Sequence, residues 1–415
     1  MKNLMTISAA ILYVMTGCGE SKQTADGFIT VDVTASYPKK ELILQDFMDV
    51  EYVPLETTDE FITSAYVQAI GKDIILVRNT NQAGPGDIFI FDRTGKGVRK
   101  INRRGQGNEE YTNITGTIAL DEENGEMFVN CGGLRKILVY DLFGNFKRSF
   151  DYMEGEDESS MFKKEIGYNP ICNFDRNNLI FQDCTNARNF MGRGGVYVDL
   201  DPRDIFYIIS KQDGSITKKI PVPFEKKILQ IVFHPSGGVG KVSNLGLTPY
   251  HDRWILVEPS ADTVYSYSAD HVMKPFIVRT PSVQSMDPEV FLFPGVITDR
   301  YCFMQSVKKE YDETESGSNL KETDLVYDRQ EKKIFEYTVY NDDFTTKRPL
   351  KNLVDDVLTL TVVNHDEVAF SEKIEAPELV EAYRKGQLKG RLKEIAATLD
   401  EESNPVIMLA KYKKQ

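Results

Sequence analysis

The sequence predicts an all-β fold, a six-bladed β-propeller closed by its own termini, with a short helical insertion near the C-terminus. Three observations predict it. Past residue 27 the chain shows short β-branched and aromatic runs broken by Asp, Asn and Gly, rather than long apolar stripes of helical period. A strand–turn–strand unit recurs five times at intervals of 49 to 69 residues. Strand-like segments lie at both ends, outside the five units, and can complete one another.

The first unit is Asp87-Ile88-Phe89-Ile90-Phe91-Asp92-Arg93-Thr94-Gly95, resuming at Val98-Arg99-Lys100-Ile101. The second runs from Lys136 to Asn145 and resumes at Phe146 to Phe150. Gly95 and Gly144 fall where a tight turn needs positive φ, so each unit reads as a hairpin. Phe206–Ser210 turns at Asp213-Gly214 into Ile216–Ile220; Val264–Ser268 turns near Asp270 into Met273–Val278; Leu325–Asp328 turns into Ile334–Tyr337. Asp92, Asp141, Ser210, Ser268 and Asp328 are equivalent positions in this alignment. The spacing suits propeller blades, which take about 40–50 residues before insertions.

Five units leave room for a sixth blade. Asn404 to Tyr412 is a closing strand without a hairpin partner, and Phe28 to Val33 is an opening strand. Joining those two closes the ring and leaves neither as a bare edge. Pro377 to Leu399 has helical spacing, interrupted at Gly386 or Gly390, and reads as an insertion in the last blade. Tyr311 to Thr323 reads as a solvated loop in blade five.

Ahead of the propeller, residues 1–17 have the form of a secretory signal: Lys2, then an apolar run from Leu4 to Met15 too short to span a bilayer. Residues 18–27, polar and small, suit a flexible tether, leaving 28–415 for the propeller. The sequence Met15-Thr16-Gly17-Cys18 resembles a bacterial lipobox, which implies a diacylated Cys18, a stable two-chain anchor, and palmitate among its acyl groups. Gly19 follows the cysteine where Asp would imply retention at the inner membrane, so the expected address is the cell envelope, at the outer membrane.

Charge narrows the partners. A formal net charge of −13 excludes a nucleic-acid binder, which needs a concentrated basic surface. Four histidines without ligand spacing suggest no metal and no cofactor. The loop Arg103-Arg104-Gly105-Gln106-Gly107-Asn108-Glu109-Glu110-Tyr111 is the most site-like stretch. Arg103 and Arg104 could clamp an anion, with Glu109, Glu110 and Tyr111 beside them; the alternative is a blade-connecting loop whose charges pair with each other. His234 to Ser243 lacks the residues of a phosphate loop. Asp199, Asp201 and Asp204 lack EF-hand spacing, and Glu154 to Glu158 reads as a solvated acidic run. Cys172 and Cys184 are the nearest pair for a disulfide, while Cys131 and Cys302 sit in apolar strand runs. Asp262-Thr263-Val264 resembles a bacterial O-glycosylation acceptor.

Together, the lipobox, the segment Asp46 to Thr57 ending in Val53-Pro54-Leu55-Glu56-Thr57, the Gly105–Tyr111 loop and the Asn404-Pro405 strand resemble the six-bladed propeller lipoproteins of Bacteroidetes-type bacteria. That resemblance implies a cell-envelope propeller and no agreed chemistry. The expected function is a non-catalytic binding or scaffold module for an envelope protein or a glycan. The competing expectation is a propeller lyase or hydrolase with its site at the channel mouth.

Overall fold

The computed structural model describes residues 27–79, 86–114, 117–131, 134–151, 168–183, 204–228, 230–233, 239–242, 246–311, 320–350, 353–354 and 367–413. Six antiparallel blades form a ring in chain order. Blade 1 comprises Tyr66–Ile70, Ile74–Arg78, Ile88–Asp92 and Gly97–Ile101. Blade 2 comprises Ile118–Asp121, Glu126–Cys131, Lys136–Asp141 and Phe146–Asp151. Blade 3 comprises Tyr168–Asn173, Asn178–Asp183, Asp204–Ser210 and Ile216–Pro221. Blade 4 comprises Leu247–Tyr250, Arg253–Leu256, Thr263–Ser268 and Met273–Thr280. Blade 5 comprises Val290–Ile297, Tyr301–Tyr311, Leu320–Asp328 and Lys333–Tyr340. Blade 6 holds Val368–Ile374 and Val406–Tyr412, with Met48–Pro54 as its outermost strand.

The blades pack face to face, so most inner and middle strands are buried on both sides. That is why they read as continuous apolar runs rather than alternating ones. Ile75 and Val77 turn toward blade 6 with Val53, Ile407 and Leu409, whereas Leu76, between them, turns toward Met127 and Leu138 of blade 2. Six apolar clusters result, one for each blade-to-blade junction, and the sixth joins blades 5 and 6 through Phe303, Val326, Val406 and Met408.

The five equivalent positions of the repeat each end the third strand of a blade. Asp92 Oδ1 accepts the Thr94 and Lys96 N–H groups at 2.8 and 3.0 Å; Asp141 Oδ1 accepts those of Phe143 and Asn145 at 2.9 and 2.8 Å. Gly95 and Gly144 take φ values of 89° and 83°. A second constraint acts there. A Cβ on Gly144 would lie 2.8 Å from Ile101, in the outer strand of the preceding blade, and one on Gly95 would collide with the Pro54 carbonyl.

Closure corrects one expectation. Asn404 to Tyr412 does close the last blade, but its partner is Met48–Pro54, not Phe28–Val33. Ile29–Asp32 instead adds a fifth, parallel strand to the outer edge of blade 4, with Ile29 opposite Ile277. Lys39–Ile43 does the same for blade 5, with Lys39 opposite Glu336. The N-terminal segment is thus a strap around the rim of blades 4 and 5 before it enters blade 6. Its side chains Val31, Leu42 and Leu44 are buried in the neighbouring clusters. The expected helical insertion is two helices, Ala376–Arg384 and Gly390–Ala396, separated at Gly386 with φ 68°. Leu320 to Thr323 belongs to a strand rather than to the expected loop; residues 312–319 lie outside the described residues.

Candidate functional site

The Arg103–Tyr111 loop leaves the outer strand of blade 1 and leads into blade 2. The structure brings its residues together through bonds inside the protein. The Arg103 carbonyl accepts the Tyr111 N–H at 3.1 Å, and the Tyr111 carbonyl accepts the Gly105 N–H at 3.2 Å. The Tyr111 hydroxyl donates to the Gly86 carbonyl at 2.7 Å and accepts the Arg103 N–H at 2.9 Å. Tyr111 is fully buried, edge-on to Tyr140, and burial pushes its hydroxyl pKa up to about 12. Tyr140 in turn donates to the Glu109 carbonyl at 2.8 Å.

The charged groups follow the same logic. Arg103 Nε donates to the Gly144 carbonyl at 2.7 Å, tying blade 1 to the hairpin turn of blade 2. Glu110 folds back to accept the Gly107 N–H at 2.9 Å, and a side chain on Gly105 would strike that carboxylate. Arg104 and Glu109 are exposed at the rim. The geometry therefore makes Arg103, Tyr111 and the Glu109 carbonyl a blade-joining knot, with Glu110 bracing the loop from within, while the Arg104 and Glu109 side chains are exposed. The carbonyl that holds Arg103 is 41 residues distant in sequence, so no local pattern announces it.

Other polar side chains buried in the body also join elements. Lys211, in the blade 3 turn, reaches Asp121 of blade 2 at 2.5 Å and the Asp175 carbonyl at 2.6 Å. Glu258 takes both its oxygens to Lys227, at 2.8 and 2.7 Å. Asp328 receives Lys40 of the strap at 2.8 Å and Arg300 at 3.0 Å. Burial alone would push the Asp328 carboxyl up; hydrogen bonds from Arg300 and Lys40 and from the Glu331 and Gln330 N–H groups outweigh it and hold its pKa at about 2. Among the described residues, Arg279 is the buried charge with the most unpartnered nitrogens. Its Nη2 meets the Met286 sulfur at 3.0 Å and Asp262 stands 3.8 Å from Nη1, while Nε has no hydrogen-bond partner. Burial lowers its pKa to about 10.

The two motif segments at the termini meet each other. Asn404 donates to the Glu56 carbonyl at 2.7 Å and to the Phe61 carbonyl at 2.5 Å, and accepts the Thr63 N–H at 2.9 Å. The Val53–Thr57 and Asn404-Pro405 segments are thus the two halves of the ring closure, and their physical role is to lock it.

Cys172 is a buried free thiol opposite Ile180, with its pKa pushed up to about 12 by burial; Cys184 lies outside the described residues. Cys302 is likewise pushed to about 12, and Cys131 is buried. Asp262 accepts the Val283 N–H at 2.7 Å and Thr263 pairs with Val278. Asp204 begins a blade 3 strand. Asp199, Asp201, His234, Glu154 to Glu158, Cys18 and the whole signal segment lie outside the described residues. Among the described residues, no group of three or more His, Cys, Asp or Glu could hold a metal ion, and no helix is long and apolar enough to cross a membrane.

A family model described as "Domain of unknown function (DUF4934)" matches residues 28–411, and the chain belongs to that family. No curated protein matches it. Among solved structures, a Bacteroides fragilis protein named for its inferred export is similar, with 12% identity over 91% of this chain and 99% of that one, and a TM-score of 0.56. A member of the DUF4221 family from Bacteroides vulgatus shows 11% identity over 89% of this chain and 98% of that one, with a TM-score of 0.47. At such identities the first likeness speaks to the fold alone.

Proposed function

We propose that this member of the DUF4934 family is an exported, lipid-anchored propeller of the cell envelope that works as a non-catalytic binding or scaffold module for an envelope protein or a glycan. The anchor is Cys18, on the strength of Met15-Thr16-Gly17-Cys18 at the end of the apolar run, and the address is the outer membrane. The similar protein from B. fragilis, named for export, supports an envelope setting.

The observation that carries the scaffold reading is the use to which the polar side chains are put. Arg103, Lys211, Asp121 and Asp328 each bond to a neighbouring blade or the strap, and the Tyr111 ring packs on Tyr140 of blade 2, which stiffens the ring. A rigid ring is what a presenting module requires, because preorganised surfaces lose less freedom on binding.

The test is co-isolation from gently solubilised envelopes, using the tagged full-length protein and a Cys18→Ser variant. The wild type is expected in the membrane fraction with a stoichiometric partner, and the variant is expected to leave that fraction. A protein that stays with membranes after Cys18→Ser refutes the anchor. A wild type that is isolated alone refutes the scaffold.

A further inference from the structure

We propose that the free outer edge of blade 1, Gly97–Ile101, is a docking edge for an acidic polypeptide segment that adds to the sheet as an extra β-strand. This deepens the scaffold reading and rests on it. In the described sheet Gly97–Ile101 is outermost, paired on one side only with Ile88–Asp92; the Gly97 N–H is taken by the Glu56 carboxylate at 2.8 Å, so the open part of the edge begins at Val98. Blades 4 and 5 have the same edge covered by Ile29–Asp32 and Lys39–Ile43, so this fold already adds strands at that position.

The side chains around the edge distinguish it from its neighbours. Phe143, Ile62 and Val98 are the three most exposed large hydrophobic residues among those described, at 67%, 61% and 51%. All three gather at this edge. Val98 is in the strand itself, and Ile62 follows Phe61, whose ring lies against Gly97. Phe143 is stacked by the guanidinium of Arg99, 4.1 Å from the ring centroid. Arg99 and Lys100 take opposite faces, Lys100 over Phe89 on the blade 6 side and Arg99 over Phe143 of blade 2, and a bulge sets Val98 between Arg99 and Gly97. Phe143 on the blade 2 side and Ile62, next to the Phe61 that covers Gly97 on the blade 6 side, therefore flank the edge with Val98 between them. A strand added there sends its side chains alternately to both faces and covers both sets, whereas a flat surface can cover only one.

Charge selects the partner. In a chain of net charge −13, this edge carries Lys96, Arg99, Lys100, Arg103 and Arg104 within nine residues of sequence; Asp87, 3.5 Å from Lys100, and Glu56 at the Gly97 N–H offset part of that charge and leave a positive surplus. That favours acidic side chains beside the apolar ones, since complementary potentials set specificity and encounter rate. The ring order argues against a lipid occupant. The anchored segment joins the body at blade 4, and blade 1 is the third blade on in either direction, on the far side of the ring. The outer strands of blades 2 and 3 carry Lys147, Arg148, Lys218 and Lys219 with no exposed large apolar residue, so they are guarded edges rather than docking edges.

The experiment uses the protein without its signal segment and three probes: a short peptide alternating glutamate and valine, its lysine–valine counterpart, and phosphatidylglycerol vesicles. The acidic peptide is expected to bind and to slow hydrogen exchange at the amides of 98–101, leaving those of 146–151 and 216–221 unchanged. Val98→Ser with Phe143→Ser should weaken it about tenfold while the melting temperature holds, and Ile62→Ser alone should weaken it less. Equal binding of the lysine peptide, binding to vesicles instead, or protection elsewhere overturns the proposal. The two readings fail separately: a partner co-isolated from envelopes that survives Val98→Ser with Phe143→Ser leaves the scaffold reading standing and removes this edge.

Discussion

The outer strands of blades 1–3 and those of blades 4–5 occupy the same place in the repeat and solve the same problem differently. A propeller leaves one edge per blade open to solvent. In blades 1–3 these strands, GVRKI, FKRSFD and ITKKIP, place basic residues along the open edge. In blades 4 and 5 they are MKPFIVRT and KIFEYTVY, richer in apolar residues, and a strand of the N-terminal strap covers each. Lysine and arginine keep a bare edge from pairing indiscriminately; a covered edge has no such need and can spend its residues on packing. The strap is therefore a structural part of the ring, and the basic residues of blades 1–3 are what stands in for it. Blade 1 breaks its own group by exposing Val98 beside its basic residues, which is why it is singled out above.

The largest effect is expected where the strap enters the core. Val31 is fully buried between blades 4 and 5, so Val31→Asp puts an unpaired carboxylate there and should cost about 3–5 kcal/mol. Val98→Asp, on the uncovered edge of blade 1, should stay within about 0.5 kcal/mol. Urea midpoints of the two variants measure the difference directly. Equal midpoints would mean that the strap is not part of the cooperative fold.

A smaller contrast separates Asp328 from Asp92, the same turn residue in the two groups. Asp92 caps its turn only with local donors, and Asp92→Ala should cost about 1 kcal/mol. Asp328 also holds Lys40 of the strap and Arg300, both partly solvated, so Asp328→Ala should cost about 2–3 kcal/mol. Hydrogen bonds hold both carboxyls below the usual range, and the acid effect should be the larger at Asp328. The folded pKa of Asp328, about 2, lies below the unfolded value near 3.9, so its contribution is complete above the unfolded value and disappears as pH falls through about 4 to 2. The gap in midpoint between wild type and Asp328→Asn should close over that range. A gap that widens toward acid would contradict the assignment.

The same contrast explains what could be read in the sequence. The five turn positions from Asp92 to Asp328 were legible because their chemistry is local: an acceptor side chain, then a residue of positive φ three or four steps on. The closing strand from Asn404 was legible because it had no hairpin partner. Its partner was not, because Phe28–Val33 and Met48–Pro54 both have strand character and only packing tells them apart. Met48–Pro54 turns Val53 into the blade 6–1 cluster and Tyr52 into the blade 5–6 cluster; Ile29 and Val31 instead join the cluster between blades 4 and 5. For the candidate site, Arg103 and Tyr111 stood out as a pattern, but their partners Gly144 and Gly86 belong to other turns. The exposed groups at the blade 1 edge, Ile62, Val98 and Phe143, are scattered over 82 positions of sequence and share a surface only because the ring brings three connections together.

The smallest effects test the turns themselves, and they should differ in size. Gly144 has φ 83° and no room for a Cβ, which would sit 2.8 Å from Ile101. Gly144→Ala should therefore cost about 1–2 kcal/mol, from the left-handed backbone and the displaced Ile101 together. In blade 5 the turn residue of positive φ is Lys332, at 54°. Glycine relieves that backbone strain, but the interactions of the Lys332 side chain go with it and the unfolded glycine gains freedom, so Lys332→Gly should change stability by no more than about 0.5 kcal/mol. Thermal midpoints of the two variants measure the difference. If Lys332→Gly destabilises by more than that, then its side chain supports the covered rim of blade 5, and the turns of the two groups differ in packing as well as in backbone conformation.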